Sequence, residues 1–271
     1  MYKITLNDVG FSYNSQKVLV NIGFVAEPGD FICLLGPSGC GKSTLLRLLA
    51  GLEKTGTGEI FINEKPILGP GLDRGVVFQD YSLFPWMTAR ENIVIALEQA
   101  FPEKSRRELS GIAAEYLDLV GLQEAYDKLP KELSGGMRQR AAIALVFAIN
   151  SPVLLMDEPF GALDAITRAH LQDLLLNLWA QNGANRKTIL FVTHDVDEAL
   201  LLASKIVIMT LNPGMVKRII PVDQPRPRNR QDLYTDTNFQ TLRSEVMGLL
   251  NETIIRELDA GQISRSNGEL I

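Results

Sequence analysis

Runs of consecutive apolar residues, each about as long as a β-strand, recur along this chain. They predict strands at residues 31–35, 75–79, 153–158, 188–194 and 205–210. Uninterrupted apolar runs of this length are typical of strands buried on both faces, as in a parallel sheet covered by helices. Residues 2–27 alternate between apolar and polar positions instead, which predicts a separate N-terminal antiparallel β part, and residues 57–63 predict one more strand.

The pattern changes between residues 80 and 150, where apolar residues recur at helical spacing. The clearest set, which Gly121 ends, is Leu109, Ile112, Ala113, Tyr116, Leu117 and Val120. A helical stretch between strands indicates an insertion in an α/β core. The expected fold class is therefore α/β, with a parallel-rich sheet, an N-terminal antiparallel β part and an inserted helical subdomain.

We expect residues 1–211 to form this domain and residues 212–271 to form a C-terminal extension. The extension holds a candidate strand at 216–222, a turn-rich segment around Pro225-Arg-Pro-Arg, and a helical pattern at 236–258. We expect residues 261–271 to be a loose tail. The role of the extension stays open between packing, dimer contact and regulation.

Composition excludes some classes of protein. The 271 residues are 46% hydrophobic and 22% charged, as in ordinary globular proteins, and the net charge of −5 argues against a nucleic-acid-binding protein unless a local basic patch exists.

We expect Cys33 and Cys40 to be buried thiols rather than a disulfide. No signal peptide is recognisable, and the longest apolar run, residues 141–149, falls short of the about 20 residues that span a bilayer. We therefore expect any action at a membrane to require a partner.

A glycine-rich loop lies between the strand at 31–35 and a helical run at 45–50. The loop consists of Gly36, Pro37, Ser38, Gly39, Cys40, Gly41, Lys42, Ser43 and Thr44. This order matches the strand–GxxxxGK[ST]–helix phosphate loop, in which backbone N–H groups and the helix dipole bind phosphate oxygens. It predicts that Lys42 reaches the β/γ-phosphates and that Ser43 ligates Mg²⁺. The alternative, a tight turn without a ligand, has little to support it.

Two carboxylates follow the apolar strand that begins at residue 153. Asp157 stands where a phosphate-loop nucleotidase places the residue that helps to hold Mg²⁺. Glu158 comes next, where a carboxylate can orient or deprotonate an attacking water. The alternative is that both are solvated charges at a strand end.

Three further positions allow two interpretations each. His194 ends a predicted strand at the edge where open α/β sheets bind ligands, although lone histidines are more often structural. Ser134, Gly135 and Gly136 begin a predicted helix as either an anion site or an ordinary N-cap. Tyr13 either stacks on an adenine or is a half-buried aromatic, and the residues alone favour the second.

Together these residues resemble the ATP-binding cassette (ABC) ATPases, and the resemblance extends from residue 1 to about 211. The specific part is Leu133-Ser-Gly-Gly-Met-Arg-Gln-Arg, which is similar to the ABC signature that other phosphate-loop proteins lack. The commonest signature has Gln where this chain has Met137. The same substitution occurs in the branch that imports nitrate, sulfonates and taurine, which the segments at 78–88 and 157–164 also resemble.

The resemblance implies a role for each matching residue. It implies ATP and Mg²⁺ as cofactors, with Tyr13 on the adenine, which reverses the interpretation above. It implies that Lys42, Gln79, Glu158 and His194 are catalytic, and that Ser43, Gln79 and Asp157 hold the metal. The nucleotide contacts it implies are residues 36–44 together with Ser134, Gly135, Gly136 and Asp164.

The resemblance also implies partners. ABC proteins bind ATP between the phosphate loop of one cassette and the signature of another, so this chain should pair with a copy of itself or a close paralogue. Residues 79–92 should grip an integral membrane permease, with Phe84, Pro85, Trp86 and Met87 as contacts unless Trp86 is buried in the core. A solute-binding protein would act indirectly. The expected location is the cytoplasmic face of the inner membrane, with ATP hydrolysis coupled to uptake of a small anionic solute.

Two other classes share these motifs. ABC ATPases of DNA repair usually insert long coiled coils or zinc sites, whereas this sequence shows neither sustained heptads nor cysteine clusters. ABC translation factors carry two cassettes and a basic linker, which are also not found in this sequence. We therefore expect no nucleic-acid partner.

Overall fold

The computed structural model of the chain describes residues 2–79, 83–181 and 186–266. Its strands are β1 (Ile4–Tyr13), β2 (Gln16–Ala26), β3 (Phe31–Leu35), β4 (Thr57–Ile62), β5 (Lys65–Pro66), β6 (Arg74–Val77), β7 (Val153–Asp157), β8 (Thr188–Val192), β9 (Lys205–Met209) and β10 (Val216–Pro221). Two sheets result, one small and antiparallel and one large and mainly parallel.

The helices are α1 (Lys42–Ala50), α2 (Ala89–Ala100), α3 (Arg106–Leu119), α4 (Gly135–Ile149), α5 (Ala165–Gln181), α6 (Val196–Leu202), α7 (Asp232–Thr235) and α8 (Thr237–Ser266). Short 3₁₀ turns at Gln123–Ala125 and Pro130–Glu132 lead into α4. Helices α2 and α3 begin with capping boxes on Thr88 and Ser105. Within the described part of the chain, none of these helices combines the length and apolar character needed to cross a membrane.

The large sheet has the order β10-β9-β3-β8-β7-β6. All neighbouring pairs are parallel except β10 with β9. The small sheet has the order β2-β1-β4-β5 with antiparallel pairs. Because β10 belongs to the proposed extension yet extends the large sheet, the division at residue 211 stays a prediction.

The core has two halves, one on each side of the large sheet. Successive side chains of a strand point to opposite faces. Phe31, Cys33 and Leu35 therefore pack with the helical insertion, α5 and α6, whereas Ile32 and Leu34 pack with α1 and the small sheet. The α/β fold class, the antiparallel part and the inserted helices are confirmed.

The two cysteines are free and buried, as expected. Burial raises the pKa of both Cys33 and Cys40. Both side chains are therefore neutral thiols at physiological pH, and they serve as small packing groups beside the phosphate loop.

Three sequence expectations are wrong, and one of them is the strand expected at 75–79, which ends at Val77. The expected loose tail from residue 261 is helical as far as Ser266, because one glycine inside a helix costs only about 1 kcal/mol. Residues 267–271 lie outside the described residues. The strand expected to end at His194 ends at Val192, because Asp195 donates its N–H to Thr193 Oγ1 (3.0 Å) and turns the chain out of the sheet.

Gly51 ends α1 in a way that only glycine permits. Its φ is 75°, and its N–H donates to Leu48 O. A Cβ atom at this position would lie 2.2 Å from Gly69 O. This steric clash could not be relieved by a rotamer change of a neighbouring side chain, because the atom that the Cβ would meet belongs to the backbone.

We therefore expect Gly51→Ala to lower the free energy of unfolding by about 1–3 kcal/mol, measured by urea denaturation. Gly111→Ala is the matched control, because it lies inside α3 with nothing within 4 Å of its added Cβ. The control should raise stability by about 0.5–1 kcal/mol. Equal midpoints for Gly51→Ala and the wild type would contradict the strain at Gly51.

Candidate nucleotide-binding site

The phosphate loop connects β3 to α1 at the carboxyl edge of the large sheet. Gly41 precedes the helix with a φ of 94°, and no side chain of the described residues caps the helix start. The first N–H groups of α1 are therefore available to an anion, and the helix dipole favours negative charge at the same place. Ser38, Gly39 and Ser43 are exposed on this surface.

Lys42 is folded over the loop. Its Nζ donates to Gly36 O (2.8 Å) and Pro37 O (3.0 Å), and the residue is 7% exposed. A buried ammonium group needs such partners because desolvation is costly. When a nucleotide binds, the Lys42 ammonium group can exchange its hydrogen bonds with these two carbonyls for hydrogen bonds with phosphate oxygens.

Asp157 ends β7 directly beside the loop. Its carboxylate is hydrogen-bonded to the Ser43 hydroxyl, and burial raises its pKa. Carboxylate and hydroxyl oxygens are ligands that Mg²⁺ prefers, usually with phosphate oxygens and water completing the octahedron. The pair of Ser43 and Asp157 therefore fits Mg²⁺, and an ion there would supply charge neutralisation of the phosphates. Gln79 is exposed just beyond β6, at the same edge of the sheet.

Glu158 and His194 face each other across that edge. Glu158 Oε2 lies 3.5 Å from His194 Nδ1. Glu158 has a φ of 48°, an unusual conformation for a residue with a side chain. Its N–H donates to Val192 O (3.1 Å) on the neighbouring strand, which holds the carboxylate at the edge. A carboxylate and an imidazole in this arrangement can orient a water and a phosphate oxygen.

Gln139 contributes to this geometry, and the sequence interpretation gave it no role. Its Nε2 donates to Glu158 O (3.1 Å), while its Oε1 accepts from Ala162 N (3.2 Å). The residue is 3% exposed. A polar residue beside the apolar run of α4 is the signal that could have indicated it, because buried amides are almost always hydrogen-bonded.

The signature residues lie on a different part of the molecule from the phosphate loop. Ser134 caps α4 by accepting from Met137 N (3.2 Å), and Gly135 and Gly136 follow it, half-buried. Helix α1 packs on β7 and β8, whereas α4 packs on α2, α3 and β6. Asp164 accepts from Thr167 N and Ile166 N at the start of α5, and these bonds lower its pKa.

Tyr13 ends β1 beside the phosphate loop. It is 43% exposed and meets Phe11 edge-on, with ring centroids 4.8 Å apart. The hairpin turn that follows leads to Val18, whose side chain lies next to Gly41. The exposed position of Tyr13 is compatible with a contact to a planar group bound near the loop.

The fold and the loop define a phosphate-loop nucleotidase. The family model described as ABC transporter matches residues 19–161, and the chain belongs to that family. It is 46% identical to the nitrate import ATP-binding protein NrtD of Synechococcus elongatus over 231 residues, which cover 85% of this chain and 83% of NrtD. It is also 46% identical to the bicarbonate transport ATP-binding protein CmpC of the same organism over 253 residues, which cover 93% of this chain but 38% of CmpC.

Solved structures agree with the fold. The dimeric post-hydrolysis state of the ATP-binding cassette MJ0796 bound to ADP and Pi has a TM-score of 0.73 and 31% sequence identity, and the match covers 82% of this chain and all of that one. The chain is therefore an ABC ATPase whose cofactors are ATP and Mg²⁺. The predicted family, activity and cofactors are confirmed, while the roles of individual site residues stay predictions.

We expect Lys42→Ala to weaken ATP binding about 10–100-fold, because a hydrogen bond from a charged donor contributes about 1.5–3 kcal/mol. Titration with a fluorescent ATP analogue measures the change. Lys54→Ala, which removes an exposed lysine outside the loop, is the control and should bind normally. Unchanged affinity in Lys42→Ala would remove Lys42 from the phosphate site.

Proposed function

We propose that this chain is the ATP-hydrolysing subunit of a membrane ABC importer for a small anionic solute. The observation that carries the proposal is the 46% identity with NrtD over 83% of that protein, together with the similarity to CmpC. Both relatives are named for a small oxyanion, nitrate or bicarbonate. The identity of the solute is not encoded in this chain, because a cassette hydrolyses ATP while other subunits select the cargo.

Glu158 is the proposed general base of hydrolysis. Its carboxylate accepts a proton from the attacking water. His194, whose Nδ1 lies 3.5 Å from Glu158 Oε2, orients this carboxylate and contacts the γ-phosphate. Lys42 binds the β/γ-phosphates. Bound Mg²⁺ would neutralise charge on the phosphates, with Ser43, Asp157 and Gln79 as the residues that hold it.

The proposed site is completed by a second cassette. Ser134, Gly135 and Gly136 lie at an accessible helix start on a different helix from the phosphate loop, so they are suited to bind a nucleotide held by another subunit. The similarity to a dimeric cassette structure supports this arrangement. Two composite sites would then close on ATP and open after hydrolysis, which couples binding energy to movement.

The proposed membrane contact is an exposed aromatic turn. Phe84 and Trp86 are 45% and 69% exposed, with rings 5.5 Å apart, so core burial of Trp86 is wrong. Asn92, 1% exposed, fixes this turn: it accepts from Phe84 N (2.7 Å) and donates to the carbonyls of Phe84, Met87 and Thr88. Residues 80–82 of the expected contact segment lie outside the described residues.

A rigid, exposed aromatic pair of this kind is suited to anchor an interface. The chain would then sit at the cytoplasmic face of the membrane, held there by its permease. The solute-binding protein would contact the permease and not this subunit.

Glu158→Gln should keep ATP binding and lower the hydrolysis rate by roughly 10²–10⁴-fold, the usual contribution of a positioned general base. Phosphate release and ATP titration measure the two effects separately. Glu59→Gln, at an exposed position on β4, is the matched control and should hydrolyse ATP normally. Near-normal turnover by Glu158→Gln would assign the base to another group.

Trp86→Ala should abolish co-purification of the integral membrane subunit while ATP binding by the isolated chain stays normal, because the turn lies apart from the phosphate loop. Leu68→Ala, which removes an 85% exposed apolar side chain elsewhere, is the control. Co-purification that survives Trp86→Ala would move the contact to another surface. ATP hydrolysis stimulated by nucleic acid, with no membrane subunit retained by the wild type, would contradict the importer proposal itself.

A further inference from the structure

Helix α6 follows His194 directly and has only seven residues, Val196–Leu202. An isolated helix of this length is not stable in water. Asp195 caps its start, accepting from Glu198 N (3.1 Å). The position of His194 therefore depends on contacts that other parts of the chain make with α6 and with the turn before it.

Two arginines of the C-terminal extension cap the other end of α6. The last carbonyls of a helix have no partner within the helix, and they attract cations. Arg228 Nη1 donates to Leu200 O (3.0 Å), Leu201 O (3.4 Å) and Ala203 O (2.5 Å), and Arg226 Nη2 donates to Leu202 O (2.5 Å). These four carbonyls are consecutive, so the extension satisfies the whole end of the helix.

Arg226 is itself held in place. Its guanidinium group stacks on Trp179, 4.5 Å from the ring centroid, and Arg186 lies 4.8 Å from the same centroid. The Trp179 indole donates to Lys187 O (3.0 Å) at the start of β8. The segment around Pro225–Arg228 thus bridges α5, β8 and α6.

A second path leads from the extension to the turn that carries His194. Arg230 forms an ion pair with Asp173 (2.8 Å) and donates from Nη2 to Gln172 Oε1 (3.1 Å). Gln172 Nε2 donates to Glu198 Oε1 (2.7 Å), a buried contact. The Glu198 carboxylate also hydrogen-bonds the side chain of Thr193, the residue before His194. One relay of four side chains therefore joins Arg230 to the neighbour of His194.

We propose that Arg230, acting through Gln172 and Glu198, is a positioning residue for His194, and that the C-terminal extension thereby sets the rate of ATP hydrolysis. The proposal rests on the role proposed above for His194. Arg230 touches neither nucleotide nor the reacting atoms, so its effect is on the orientation of the histidine. A shift of the turn by a fraction of an ångström weakens the contact between His194 and the γ-phosphate.

The test uses the full chain and measures steady-state ATP hydrolysis. Arg230→Ala should lower kcat roughly 5–20-fold with an unchanged KM for ATP, because small misplacements near a reacting group are costly. Arg230→Lys keeps a donor near Gln172 and should recover most of the rate. Arg218→Ala is the matched control: it breaks an exposed ion pair with Glu245 in the same extension, 3.9 Å long, and should leave kcat unchanged.

Combination with His194→Ala separates positioning from a general loss of stability. In that background Arg230→Ala should cause no further decrease in kcat, since the group it positions is gone. A full further decrease there, or a normal kcat for Arg230→Ala alone, overturns the proposal. If Arg230→Ala does not fold, Gln172→Met breaks the same relay while Arg230 keeps its ion pair with Asp173, and the same outcomes apply.

The two proposals fail in different ways. A normal kcat for His194→Ala would refute the role of His194 and the positioning proposal with it. A low kcat for His194→Ala with a normal kcat for Arg230→Ala would refute only the positioning proposal, and the role of His194 in hydrolysis would stand.

Discussion

The parallel pairing of β3, β8 and β7 is the constraint on which the site depends. Leu34 pairs with Val192, and Val192 pairs with Asp157, so these three residues form one row across the sheet. The chain leaves each strand within two residues of that row, and it carries the phosphate loop, His194 and Glu158 to a common edge. A slip of one residue in either pairing would move these groups apart by about 3 Å and turn their side chains to the opposite face.

The parts of the fold that could be predicted are those with local causes. Buried parallel strands are apolar throughout, Gly41 and Gly51 have backbone angles that favour glycine, and Ser134 and Asp164 cap the helices that follow them. Gln139 and Asn92 could not be predicted in the same way. Each is a buried amide, and a polar residue beside apolar ones can indicate its burial, but its hydrogen-bond partners are fixed only by the folded structure.

The contacts of the C-terminal extension are even harder to predict from sequence. The Pro225-Arg-Pro-Arg segment indicates an extended chain, but nothing in its sequence indicates that the end of α6 is its partner. Burial lowers the pKa of Arg226 and of Arg228 to about 10, yet both remain charged at neutral pH. Their hydrogen bonds to the end of α6 are made with backbone carbonyl groups, so no pattern of opposite charges along the sequence indicates this contact.

The two sides of the catalytic edge are therefore stabilised differently. The phosphate loop belongs to a strand and a helix buried in the core, and its shape follows from local glycines. His194 stands before a short helix whose carboxyl end is satisfied by side chains from elsewhere in the chain. Each hydrogen bond from Arg226 or Arg228 has a charged donor and contributes about 1.5–3 kcal/mol, so the extension stabilises the helix that follows His194. In the proposed mechanism, nucleotide binding therefore depends on the phosphate loop, and the rate of hydrolysis depends on the contacts that position His194.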